Sequence, residues 1–114
     1  MKKIVLVSLL FLTSVTFAAD GWKRSGKISA VQPEFYRTSE VGGGSLILIY
    51  TNILSTDCGG NTWVLRADLD KNNAVFSSVL TAFAADKSVD LYQFSCHILD
   101  GKAYPRMGGI KIIK

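Results

Sequence analysis

Apolar and polar positions alternate or cluster along the chain in segments short enough to read one at a time. Residues 27–36 alternate loosely, with Ile28, Ala30 and Gln32 on one side and Ser29 and Val31 on the other. This predicts a first strand, with Pro33 near its end or on an edge. Residues 40–45 contain Gly42-Gly43-Gly44, a flexible hairpin connection. Residues 46–51, Leu-Ile-Leu-Ile-Tyr-Thr, are a continuous run of strand formers and predict a central strand. Residues 55–61 carry Asp57-Cys58-Gly59-Gly60-Asn61, a turn. Residues 62–68 alternate Trp63, Leu65 and Ala67 against Val64, Arg66 and Asp68, a third strand.

A helix is expected over residues 73–86, capped by Asn72 or Asn73. At 100° per residue, Val75, Phe76, Val79, Leu80, Ala82 and Phe83 share one face, which should pack on the sheet. Ser77, Ser78, Thr81 and Ala85 fall on the other, together with Ala74 and Ala84. No charged residue occurs from Asn72 to Ala85. A small, uncharged outer face suits the close approach of another helix, so Ser77, Ser78, Thr81 and Ala85 are candidate contacts with a partner. Residues 89–98 predict a fourth strand, residues 101–108 a connection and residues 109–114 a fifth strand. Three strands, a helix and two strands fits a mainly β fold, a five-stranded, partly open OB-fold barrel plugged by its helix, an order that other α+β folds share.

The first eighteen residues stand apart. Lys2 and Lys3 precede an apolar run over residues 4–12, and Thr16-Phe17-Ala18 offers small residues at the −3 and −1 positions of a signal-peptidase site. The run is short for a membrane span, which needs about 20 residues. Residues 1–18 are therefore expected to be a cleaved export signal, and residues 19–114 a single domain with no stable membrane anchor. Cleavage removes two of thirteen basic residues and leaves the nine acidic ones, so the net charge falls from +4 to +2. That balance argues against nucleic acid as a partner. Cys58 and Cys96 are the only cysteines, and in an exported chain they predict one disulfide. The periplasm or the exterior is the expected location.

No motif supplies catalytic chemistry. The single histidine, His97, adjoins a disulfide cysteine, and no serine lies in a nucleophile motif. Gly42-Gly43-Gly44 lacks the context of a phosphate-binding loop. Cys58, Cys96 and His97 make a poor zinc set. A non-enzymatic protein with no metal or cofactor is expected. Tyr50, Trp63 and Tyr92 read as core or half-buried strand residues, whereas Trp22, ahead of the first strand, is free to make a surface contact.

Several segments together resemble small exported bacterial proteins similar to the B subunit of subtilase cytotoxin. They are Trp22 followed by Ser25-Gly26-Lys27-Ile28, Cys58-Gly59, Trp63 leading to Leu69-Asp70, the helix over residues 75–85, Val89-Asp90-Leu91-Tyr92, and Tyr104-Pro105 before the last strand. The resemblance implies an OB-fold, a ring of five copies with helices facing the pore, a protein A subunit as partner, and binding of sialylated glycans. Ser25 matches a glycan-contacting serine of that toxin subunit, which makes Ser25 and Trp22 the candidate glycan contacts. The cysteine placement differs from the toxin's. The alternative is a periplasmic protein that binds or inhibits an envelope enzyme.

Overall fold

A computed structural model describes residues 20–34 and 46–113. The expected export signal over residues 1–18 and the expected glycine connection over residues 40–45 lie outside the described residues. Among the described residues the protein is mainly β with one α-helix. Its strands are β1 (Gly21–Gly26), β2 (Ile28–Glu34), β3 (Leu46–Thr51), β4 (Thr62–Arg66), β5 (Ser88–Leu99) and β6 (Lys102–Ile113), with the helix α1 (Ala74–Ala84) between β4 and β5. They form one sheet in the order β1-β5-β6-β4-β3-β2. All neighbours are antiparallel except β4 and β6, which are parallel.

This corrects the expected five-stranded barrel. Among the described residues there are six strands, and the sheet is open, with no ladder between β1 and β2. The cause is local. A single first strand was expected to start at Lys27, but the chain is already extended from Gly21 and changes partner at Lys27. Before it, Trp22 pairs with Tyr92 on β5; after it, Val31 pairs with Ile49 on β3. Gly26 permits the change. A Cβ there would stand 2.5 Å from Ile53 Cγ1 and overlap the Asn52 side chain. Asn52 fixes the joint by accepting a hydrogen bond from Lys27 N at 2.9 Å. The two outermost strands are thus separated by one residue, and the sheet curls accordingly.

The curl encloses the main core. Ile28, Ile47, Ile49, Trp63, Leu65, Val79, Val89, Leu91 and Met107 are all buried in one cluster drawn from five strands and the helix. Trp63 is fully buried, and its indole N–H donates to Ile53 O at 3.0 Å, which removes the cost of an unpaired buried donor. The opposite face of β3 and β4 forms a second cluster of Leu46, Leu48 and Val64 with Leu99. Apolar residues on both faces explain why the 46–51 run is continuous rather than alternating.

Two further expectations change. The connection over residues 101–108 is strand: β6 starts at Lys102, and only Asp100 and Gly101 turn the hairpin, both with positive φ (54° and 78°). Asn73, one of the two expected residues, stands at the N-cap position of α1 with φ 54°, but its side chain does not cap it. Asp70 does the work instead, its carboxylate accepting from Val75 N at 3.0 Å and Phe76 N at 2.9 Å. A negative group there also complements the helix dipole.

Candidate ligand-binding face

The period of two along β5 separates its side chains. Val89, Leu91 and Gln93 are buried against the core side, while Asp90, Tyr92 and Phe94 belong to the other face. On that face register brings three strands together. Tyr92 lies opposite Trp22 on β1 and Gly109 on β6. The Trp22 and Tyr92 rings meet edge to face, centroids 5.4 Å apart. Lys111 Nζ sits 4.8 Å from the Trp22 ring centroid, and the Arg106 guanidinium carbon 5.0 Å from that of Phe94. Trp22 and Phe94 are 44% and 46% exposed, so nearly half of each ring is open to a ligand.

Glycines let these rings lie across the strand. A Cβ on Gly108 would come within 3.0 Å of Phe94 Cβ and 3.4 Å of Tyr92 Cδ1, and one on Gly109 within 3.5 Å of Tyr92 Cβ. Glycine inside a strand commonly marks such close approach. Next along the face, register sets Asp90 between Arg24 on β1 and Lys111 on β6. Asp90 is buried, and its Oδ1 has no hydrogen-bond partner. The accessible part of the face combines aromatic surfaces with cations and has both stacking and polar capacity; the Asp90 oxygen lies buried beneath it.

The face is stiffened from behind. Cys58 and Cys96 form the expected disulfide, Cα atoms 5.5 Å apart, tying the 52–61 loop to β5. Ser55 donates to the Gln93 side chain inside the same junction, and Lys23 pairs with Asp57 at 3.5 Å. Beside Cys96, β5 bulges: Ser95 has φ 57°, and its N–H donates to the Asp20 carboxylate at 2.7 Å.

Of the sequence-derived contacts, Trp22 is in this face. Ser25 is exposed at the irregularity between Arg24 and Gly26, at the far end of β1. The two are not gathered around one pocket. Tyr92, Phe94, Asp90, Arg106 and Lys111 were missed; the alternation of residues 89–94 and the strand glycines were the available signals.

The helix also differs from expectation. Val79 and Ala82 are buried, and Val75 and Phe76 are half-buried, but Leu80 and Phe83 are each 42% exposed. The sheet covers only one side of α1, so the outer surface is more apolar than the sequence reading allowed. Ser77, Thr81 and Ala85 are exposed and Ser78 is half-buried. Two of these hydroxyls turn back on the helix: Ser78 donates to Ala74 O at 3.1 Å and Thr81 to Ser77 O at 2.9 Å.

At the end of β4, Arg66 grips Asp68 through Nε at 3.0 Å and a second nitrogen. That grip lowers the Asp68 pKa and raises that of Arg66. His97, on β5, is half-buried, and its Nε2 is buried without a partner. Burial lowers its pKa, and the charges of Arg66 and Arg106 lower it further.

Comparison of the chain with protein-family profiles, with curated proteins and with solved structures finds no match.

Proposed function

We propose that the protein is an exported, non-enzymatic binding protein, and that the β1-β5-β6 face takes up a glycan. The observation that carries this reading is the row of Trp22, Tyr92 and Phe94 with its flanking cations. Aromatic faces pack on the C–H surfaces of sugar rings, and the cations can donate to their hydroxyls and carboxylates. The disulfide is in keeping with an oxidising compartment. The resemblance to toxin B subunits points to sialylated glycans, with Ser25 as a further contact, and to an A-type partner subunit. It also suggests the OB-fold: β1 and β2, joined by Lys27 alone at opposite ends of the sheet, are then two halves of one bent strand. A glycan array probed with the secreted protein tests the reading. Saturable binding lost in Trp22→Ala and Tyr92→Ala supports it; an empty array, or binding unchanged in both variants, refutes it. Mass spectrometry of the same material is expected to find Ala19 as the first residue.

A second reading rests on α1. Exposed Leu80 and Phe83 on a helix without charges favour a protein contact, either a second copy in a ring of five or an envelope enzyme that is bound or inhibited. Sedimentation separates these. A pentamer dissociated by Leu80→Glu favours the ring; a monomer that captures one stoichiometric envelope protein favours the inhibitor.

A further inference from the structure

A second concave site lies where the end of β4, the middle of β6 and the start of α1 meet. It is a hollow of about 200 Å³, open to solvent on one side. Leu65, Val75 and Met107 supply apolar lining, and Leu69, Arg66 and Arg106 are among the other residues around it. An apolar cavity of about 150 Å³ accommodates benzene, so the space suits a single ring with a short substituent.

The polar groups around it are unequally occupied. Both oxygens of Asp70 are taken by the amides of Val75 and Phe76. The Asp68 carboxylate is held by Arg66. Arg106 rests on the Phe94 ring and has no carboxylate partner among the described residues. A guanidinium has five N–H donors arranged to match a carboxylate. The local field has the same sign: at His97 the two guanidinium charges outweigh the opposing charge of Asp68. The Arg106 charge also acts on Asp68 and helps to lower its pKa, so an incoming anion shares that field; apolar walls with this guanidinium suit an anion that carries an apolar body.

We propose that this pocket binds a small free carboxylic acid with a planar apolar body, its carboxylate on Arg106 and its ring between Leu65, Val75 and Met107. The site meets the aromatic face at Phe94, Arg106 and Gly108, but the proposal does not rest on the glycan reading.

His97 is the chain's only histidine, so its ring proton signals are unambiguous by NMR. Phenylacetate is the probe, added to the full secreted protein labelled with nitrogen-15. Saturable shifts are expected at the amides of Leu69, Val75 and Gly108, together with a rise in the His97 titration midpoint as the carboxylate offsets the arginine field. Phenylacetamide lacks the charge and should bind about tenfold more weakly or worse, since a hydrogen bond to a charged group is worth roughly that factor; acetate keeps the charge but lacks the ring and should also bind about tenfold more weakly or worse, through lost apolar burial. Arg106→Gln should lose about tenfold in affinity. If that variant does not fold, Leu69→Glu serves instead: Leu69 is exposed, and a carboxylate there should compete for Arg106 and abolish binding. Trp22→Ala should leave phenylacetate binding unchanged, whatever its effect on glycans. Equal binding of phenylacetamide, wild-type affinity in Arg106→Gln or Leu69→Glu, or no saturable shift overturns the proposal.

Discussion

Removing the Cys58–Cys96 cross-link isolates what the bond does, because the junction around it has other ties. Ser55 still donates to Gln93, Ser55 N still donates to Gly60 O at 2.8 Å, and the Trp63 indole still reaches Ile53 O. The 52–61 loop should therefore keep its place when the bond is cut, and the loss should arise in the unfolded chain. The cysteines are 38 residues apart; in the chain-entropy model a loop of that size contributes roughly 4 kcal/mol at 25 °C. For a domain of 60–100 residues, each kcal/mol corresponds to roughly 4–8 °C, so Tm should fall by roughly 15–30 °C. The assay is urea unfolding followed by tryptophan fluorescence, comparing the oxidised protein, the protein reduced with dithiothreitol and Cys58→Ala/Cys96→Ala. The reduced protein keeps both sulfur atoms, so it separates the cross-link from packing. Agreement between the reduced and doubly substituted forms, both about 4 kcal/mol below the oxidised one, is the expected result. A loss below about 1 kcal/mol in the reduced protein would refute the argument that the unfolded ensemble carries the effect.

Three other perturbations follow from named contacts. Gly26→Ala drives a methyl into Asn52 and Ile53 and should cost about 1–3 kcal/mol, read as a lower urea midpoint; an unchanged midpoint means the joint at Lys27 is looser than described. Asp70→Ala frees two amides at the start of α1 and should cost about 1–2 kcal/mol, with Asp70→Asn intermediate and helical circular dichroism falling in step. His97 titrates lower in the folded state than its ordinary value of 6.5. The unfolded chain then binds more protons over the window below that value, so stability should fall as pH drops through it. Urea midpoints between pH 7 and 5 should show that slope flattened in His97→Gln, and an equal slope in both proteins removes His97 as its source.

The parts of the fold that could be read in advance are those where side-chain chemistry alone decides. The 46–51 strand, the helix around Val79 and Ala82, and the Cys58–Cys96 pairing are of that kind. β1 is different: Trp-Lys-Arg-Ser has too few apolar positions to announce a strand, and its extension depends on Tyr92, about seventy residues away. Pro105 misled in the opposite direction by suggesting a loop. It is tolerated inside β6 because the ladder is already interrupted between Gln93 and Cys96, next to its partner position. Asp100-Gly101 was a readable signal that was passed over, since Asp-Gly between two strand-like runs favours a two-residue hairpin. The candidate face was only partly legible: Trp22 stood out as a free aromatic, but its neighbours are assembled by register across three strands.

The single-residue joint at Lys27 also governs how the sheet resists misalignment. Were β1 to slide by one position against β5, the offset would pass through Lys27 into β2, exchanging Ile28 for Ser29 on the inner side. A hydroxyl would enter the interior and an isoleucine would meet water. Each border strand thus acts as a stop for the other, and an error in pairing at one margin is penalised at both.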